Sequence, residues 1–280
     1  MHIQVMSQTT PEALLRQGEP KAALDALQQL IRKEPQVSKH RVFLFQLLLS
    51  LGEWERAKTQ LSVVKELDAA TIPMAQAYSE ALRCELLREG VFSGQRSPLV
   101  FGEPAEWVAH VQQALVMSAQ GQVEQAQELR TAALEAADAV PGTITVASAD
   151  GDQESSFAWL ADADSRIGPI FEAVINGKYY WVPAAAVSEL SIEAPEDLRD
   201  FVWMPAQFRW QNGGEAVALI PTRYPGSASA EDPAFQLARK TDWHDAGHDE
   251  YRGVGQRVFA TDAGDFGICD VRRITFSAGA

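Results

Sequence analysis

The sequence predicts an α+β protein in which an all-α, tetratricopeptide-like repeat half precedes a β-rich half built as an antiparallel sheet or barrel. Three observations predict it. A Gly-containing motif recurs at an offset of 34 residues in the first half. Past about residue 156 the apolar pattern changes from helical spacing to two-residue alternation. Turn signals then follow one another closely, and five of the seven Trp lie in this part: Trp159, Trp181, Trp203, Trp210 and Trp243.

The repeat is read first. Leu15-Arg-Gln-Gly18-Glu-Pro-Lys-Ala-Ala23 aligns with Leu49-Ser-Leu-Gly52-Glu-Trp-Glu-Arg-Ala57, and the apolar series Leu27 and Leu30 aligns with Leu61 and Val64. A period near 34 is that of the tetratricopeptide helical hairpin. Gly suits the turn between two antiparallel helices, where the backbone is left-handed or crowded. The Ala five residues on lets the second helix approach the first. A third copy, Met117-Ser-Ala-Gln-Gly121-Gln-Val-Glu-Gln-Ala126, is degenerate, with Arg130 where Leu27 and Leu61 stand. Residues 73–89 and 106–119 also read as helices, separated by a Gly/Pro-containing loop over 94–104.

The helical pattern stops at Val140-Pro141-Gly142, and residues 143–156 are small, polar and acidic. This predicts a repeat domain over 1–140, a linker over 141–156 and a β-rich domain over 157–280. Phe171–Ile175, Asn176-Gly177 and Lys178–Val182 form the strongest hairpin signal, since Asn-Gly accepts the positive φ of a type I′ turn. A second hairpin is predicted from 208–210 to 215–220, and a third from 254–261 to 265–276.

Composition narrows the functions. The formal net charge is −14, and the balance is −4 over residues 1–140 and −10 over the remainder. Such a surface repels nucleic acid and anionic lipid and steers basic segments toward it. The longest apolar run, Val42–Leu49, is far short of the roughly 20 residues a membrane-spanning helix needs. The N-terminal stretch lacks a secretory signal's basic and apolar regions. Cys84 and Cys269 are isolated, which fits a reducing compartment. The chain is therefore expected in the cytoplasm, without nucleic acid or membrane as a partner.

Chemical motifs are sparse. Asp162-Ala-Asp164-Ser-Arg166 begins like a calcium loop, but Ile167 and Ala173 stand where Gly and Glu are needed. An Asp–Arg pair with Asx-type turns is the better reading. His244 and His248 are four apart but interrupted by Gly247, without a third ligand. Gly253-Val-Gly255 lacks the third Gly and the following helix of a dinucleotide fingerprint. Gly226-Ser-Ala-Ser-Ala230 is not a nucleophile elbow. No catalytic, cofactor-binding or metal-binding residue is predicted. Tyr179, Tyr180, Trp181, Trp203, Trp210 and Tyr224 are either core or exposed binding aromatics; regular alternation sends Tyr180 and Trp181 to opposite faces.

Further blocks carry a resemblance. Arg41-Val-Phe-Leu-Phe-Gln-Leu-Leu, Leu51-Gly-Glu-Trp-Glu-Arg-Ala and Pro73-Met-Ala-Gln-Ala-Tyr occur in the front half. Ala161-Asp-Ala-Asp-Ser-Arg-Ile-Gly-Pro, Gly177-Lys-Tyr-Tyr-Trp-Val-Pro, Pro195-Glu-Asp-Leu-Arg-Asp, Val202-Trp-Met-Pro-Ala-Gln-Phe and Ile220-Pro-Thr-Arg-Tyr-Pro-Gly-Ser occur in the back half. In these the chain resembles the ImpE family, the TagJ-type (SciE-type) accessory proteins of bacterial type VI secretion. The resemblance implies a non-enzymatic adaptor without cofactor. It implies binding of the small, TssB-type sheath subunit through a helical segment near that subunit's N-terminus, and a link to the ClpV-type ATPase that recycles sheath. The candidate partner contacts are Asp162, Asp164, Arg166, Tyr180, Trp181, Trp203, Trp210, Arg223 and Tyr224. Two other functions remain open on the residues alone: a metal-dependent hydrolase using the Asp162/Asp164 region, and a repeat regulator unrelated to secretion.

Overall fold

The computed structural model describes residues 10–103 and 105–277; most of the N-terminal stretch judged above lies outside them. Among the described residues seven helices precede the main run of strands, six of them paired in three hairpins. They are α1 (Pro11–Arg16), α2 (Pro20–Lys33), α3 (Ser38–Ser50), α4 (Trp54–Leu67), α5 (Ile72–Phe92), α6 (Glu106–Ala119) and α7 (Val123–Ala136). The repeat glycines sit at the hairpin turns with left-handed backbone: φ is 82° at Gly18, 71° at Gly52 and 78° at Gly121. Gly52 is constrained twice, because a Cβ there would also come within 2.9 Å of the Ala228 side chain. Five residues after each glycine, Ala23, Ala57 and Ala126 are completely buried where the two helices of a hairpin meet. Replacing Ala57 with Leu should therefore destabilise the protein by about 1–3 kcal/mol through overpacking. Urea denaturation checks this, and an unchanged midpoint would contradict the packing.

The run Val42–Leu49 lies in α3 and is buried from Leu44 to Leu49 beneath its neighbours. Among the described residues no helix is long and apolar enough to cross a membrane.

The short strand β1 (Leu99–Val100) lies between α5 and α6, and the other strands follow α7: β2 (Gly142–Val146), β3 (Gln153–Phe157), β4 (Leu160–Asp162), β5 (Ile170–Ile175), β6 (Lys178–Pro183), β7 (Val187–Ile192), β8 (Trp203–Trp210) and β9 (Glu215–Pro221). After the short helix α8 (Pro233–Gln236) come β10 (Thr241–Asp245), β11 (Tyr251–Gly255), β12 (Val258–Thr261), β13 (Gly264–Gly267) and β14 (Val271–Phe276). Nine strands form one sheet in the order β1-β6-β5-β9-β8-β7-β14-β2-β3. Its two ends are unpaired with each other, so it is an open sheet and not a barrel. All its pairings are antiparallel except β1 with β6. A three-stranded sheet, β13-β12-β4, and a two-stranded ribbon, β10-β11, complete the half.

The β5–β6 hairpin turns through Asn176 and Gly177 with φ of 49° and 71°, as type I′ requires. The β8–β9 hairpin also follows the sequence. The third predicted hairpin divides: β12 pairs with β13, but β14 leaves to pair with β2 and β7. Residues 143–156 are not a free linker. Thr143, Ile144, Thr145 and Val146 alternate as β-branched strand formers, Ile144 is fully buried, and β2 with β3 forms a hairpin at the end of the large sheet. Only the small polar residues between these two strands make a turn.

The core has three parts. One fills the inner face of the sheet around Phe171, Phe208, Ile220, Phe259 and Ile274. A second joins α2–α5 to Val202 and Trp203. A third joins α5–α7 to Ile167, Ile170, Val174, Tyr179 and Trp181. Helices thus cover the outer face of the sheet at β5 and β6, and every residue of β5 is buried. Farther along, at β7, β14 and β2, the outer face carries Ser191, Arg273 and Thr145 in register and meets solvent. Strand alternation is therefore clear at that end and lost at β5.

Candidate functional site

Two features are candidates for function: a groove on the first helical hairpin and a polar seam where the helices meet the sheet. The groove lies between α1 and α2 and has a volume of about 530 Å³. Pro11 and Leu14 line it from α1, and Ala22, Ala26 and Leu30 from α2, with Asp25, Gln29 and Lys33 among them. Ala22, Ala26 and Leu30 follow at i, i+4 and i+8, beside the stripe Ala23, Leu27 and Ile31 that enters the core. Helix α2 therefore carries two adjacent apolar stripes. One is buried; the other, with Leu14 facing it, is only half covered. The two stripes are visible in the sequence, but nothing local says which stays open.

The seam is a buried ionic network centred on Glu172 of β5. Its carboxylate accepts from Arg88 Nε at 2.7 Å and Arg88 Nη2 at 3.1 Å, and also from Arg257 Nη2 and the Tyr179 hydroxyl. Trp181 Nε1 donates to the Tyr179 oxygen at 2.9 Å. Arg88 reaches on to Glu85 Oε1 at 2.9 Å, and Glu85 Oε2 accepts from Trp203 Nε1 at 2.9 Å. Arg257 also pairs with Asp162. The seam thus runs from α5 through β5 to β4 and β8. Burial alone would raise the Glu172 carboxyl, but Arg88 and Arg257 outweigh it and hold the group down at about 2. At Asp162 burial wins over Arg257, aided by the neighbouring Asp164, and the carboxyl is pushed up to about 6.

The candidate contacts named from the sequence mostly lie in or beside this seam. Asp164 accepts from the Arg166 backbone N–H at 3.0 Å, from Arg166 Nε at 2.8 Å and Nη2 at 2.6 Å, and from Gly253 N–H at 3.0 Å. Asp162 accepts from Asp164 N–H at 2.8 Å and from Arg257. Every oxygen of both carboxylates is thereby engaged by an N–H donor, the arrangement of an Asx turn with an Asp–Arg pair. Among the described residues no three His, Cys, Asp or Glu side chains are grouped to hold a metal ion. Arg223 is buried and donates to Ser50 O at 2.7 Å, Leu49 O at 3.2 Å and Gln236 O. It thus caps the C-terminal carbonyls of α3. Burial without a bonded carboxylate lowers its guanidinium to about 10.

Trp181, Trp203, Trp210 and Tyr224 are buried. Of the two readings open for them, core and exposed binding aromatic, the structure gives core, so as partner contacts they are corrected. Trp203 packs between Trp54 and Tyr78, at centroid distances of 6.3 and 6.1 Å, and Trp210 stacks on Phe101 at 3.9 Å. Tyr180 and Trp181 do point to opposite faces. Trp181 enters the core shared with α5–α7, whereas half-buried Tyr180 meets Phe101 at 6.2 Å.

Sequence reasoning missed Glu85, Arg88, Glu172 and Arg257. A lone acid inside the apolar strand Phe171–Ile175 was the available signal. Arg130, noted only as a departure from the repeat, proves to be a second tie. It donates to Glu250 at 2.8 Å and to His248 O at 3.0 Å, so the third hairpin grips a loop of the sheet half. Burial pushes the Cys84 thiol up to about 11 and Cys269 up to about 12. Neither is an activated nucleophile at neutral pH.

Comparison with known proteins agrees with this architecture. The ImpE protein family profile matches residues 154–275, and a tetratricopeptide repeat profile matches residues 14–81. The type VI secretion system accessory component TagJ of Pseudomonas aeruginosa is 49% identical over 265 residues, covering 95% of this chain and 90% of that protein. The chain belongs to the ImpE family. The crystal structure of protein VPA1032 from Vibrio parahaemolyticus, 25% identical, superposes with a TM-score of 0.82 over 95% of this chain and 97% of that one. Membership of the ImpE family extends through both halves, since the TagJ match runs across the repeat helices as well as the sheet. The relative's role is that of an accessory component of type VI secretion.

Proposed function

We propose that this ImpE-family protein is a non-enzymatic adaptor of the type VI secretion machinery, acting in the cytoplasm. It takes up a helical segment near the N-terminus of the small, TssB-type sheath subunit and supports sheath assembly or its recycling by the ClpV-type ATPase. Kinship with TagJ carries the secretion role. The half-covered apolar groove between α1 and α2 carries the mode of binding. An amphipathic helix docks in such a groove through anchors at i, i+3, i+4 and i+7, here against Leu14, Ala22, Ala26 and Leu30. The acidic back half adds steering of a basic segment, which acts on the association rate and weakens as salt shortens the screening length.

Calorimetric titration of the intact chain with a peptide of the sheath subunit's N-terminal helix tests this. Ala26→Glu fills the groove with a charged side chain while keeping helix propensity. It should weaken binding at least about tenfold, equivalent to about 1.4 kcal/mol. Raised salt should slow association and leave dissociation nearly unchanged. Unaltered affinity in Ala26→Glu, with the fold intact by circular dichroism, would remove the groove from the interaction.

A further inference from the structure

The two-stranded ribbon has one edge bonded into the protein and one edge that no other described strand pairs with. Along β11 the main chain of residues 251, 253 and 255 turns away from β10 and into the body of the protein. Tyr251 O accepts from Ser165 N–H at 3.1 Å, Tyr251 N–H donates to Ser165 Oγ at 2.8 Å, and Gly253 N–H donates to Asp164 at 3.0 Å. Gly255 N–H donates to Ser227 Oγ at 2.8 Å, and Gly255 O accepts from Tyr224 N–H at 3.0 Å. Their register partners across the ribbon are Asp245, Trp243 and Thr241. In an antiparallel ladder, partners that do not exchange bonds with each other both face outward. The peptide groups of Thr241, Trp243 and Asp245 therefore line an outer edge that no other described strand pairs with; on it the Trp243 N–H donates locally to the Asp242 carboxylate at 2.9 Å.

Two large aromatics stand near that edge, Trp243 on β10 itself and Tyr251 on β11 opposite Asp245. Trp243 and Tyr251 are 39% and 46% exposed and share one face of the ribbon with Asp245. Trp243 is held in place: its ring meets Tyr224 at 5.5 Å between centroids. Tyr224 can lie there because Gly253 has no side chain, and a Cβ at that position would overlap the Tyr224 ring. The structure thus builds a platform that keeps an exposed indole fixed, as preorganised binding residues are.

Charge selects the occupant. Exposed Asp242, Asp245 and Asp249 have no ion-pair partner among the described residues, whereas the nearby cations are engaged, Arg252 by Glu250 and Lys240 by Asp232. An acidic edge repels a second copy of itself, the usual protection of a free strand. It does not repel a basic strand, whose Lys or Arg side chains would meet both the carboxylates and the faces of Trp243 and Tyr251. We infer that the outer edge of β10 takes up a basic, extended segment of a partner protein as a third strand, with Trp243 and Tyr251 as its aromatic anchors. No residue of this ribbon lines the α1–α2 groove, so the two can be tested by different substitutions.

The probe is a short acetylated peptide of alternating Lys and Val, titrated into the intact chain and followed by NMR or calorimetry. The same peptide N-methylated at alternate amides lacks the main-chain donors, and an alternating Glu–Val peptide reverses the charge. The Lys–Val peptide should bind. N-methylation, Trp243→Ala and Tyr251→Ala should each weaken it at least about tenfold, as for loss of a hot-spot contact. The Glu–Val peptide should not bind. Melting curves confirm that both variants are folded, and Tyr251→Ala is independent of the Tyr224 contact. Equal binding of the N-methylated peptide, indifference to both substitutions, or no binding at all would overturn the proposal. Concentration-dependent dimerisation lost in Trp243→Ala would instead assign the edge to a second copy.

Discussion

Replacing Glu172 with Gln should destabilise the protein by about 3–5 kcal/mol at neutral pH, the range for breaking a buried ion pair from one side. The amide preserves the shape of the side chain, but Arg88 and Arg257 are then left without their shared anion in the interior. One of them would also face an NH₂ donor. The pH dependence separates this from a packing defect. The Glu172 carboxyl is lowered from an ordinary 4.5 to about 2. Between those values the unfolded chain binds the proton more readily than the folded one. The carboxylate's contribution is therefore complete above pH about 4.5 and is lost as pH falls toward about 2. The gap between parent and Glu172→Gln in urea midpoint should be full at neutral pH and narrow steadily through that window. A gap independent of pH would mean that packing, and not the ion pairs, sets the difference.

Trp203→Ala should destabilise the protein by about 3–5 kcal/mol, as aromatic truncations in cores do. Trp203 is fully buried and belongs to the core shared with α2–α5, although it is the first residue of β8. Truncation removes its contacts with Trp54 and Tyr78 and leaves Glu85 Oε2 without its indole donor. Because these contacts join the repeat helices to the sheet, the loss should be felt by both. Helical ellipticity and near-ultraviolet signals from the sheet aromatics should melt together, at a lower temperature than in the parent. A variant that melts at the parent's temperature would show that Trp203 does not tie the two halves.

Much of the fold was legible because its signals are short-ranged. The Gly–Ala spacing of the hairpins depends on six consecutive residues, and the Asn176-Gly177 turn on two flanking strands. Each can be read in a window shorter than one element. The division of the third predicted hairpin was not legible, since Val271–Phe276 is a good strand in either pairing. The choice of β2 as its partner depends on residues more than a hundred positions away. Residues 143–156 were misread for a related reason. Polar, small residues fit both a linker and a strand whose outer face meets solvent, and only the burial of Ile144 and the pairing of β2 with β3 and β14 distinguish them. The functional candidates divided similarly. Asp162, Asp164, Arg166 and Arg223 were visible as charges in family-like blocks, but their bonds point inward, and in the groove stripe Ala22, Ala26 and Leu30 only Leu30 stood out, as part of the repeat's apolar series.

By itself the sequence determined the α+β class, the helical hairpins with their glycine turns and fully buried alanines, the two tight β-hairpins, and kinship with the ImpE family. All of these rest on local periodicity, backbone preferences or runs of matching residues. Only the tertiary structure decided which charges are paired, which aromatics are covered, and which apolar stripe and strand edge stay open. Arg88 and Glu172 are 84 positions apart, and Arg223 reaches the end of α3 across 173. Such pairings are selected by the desolvation of charge in an interior that forms only when distant elements pack, and no pattern along the chain carries that information.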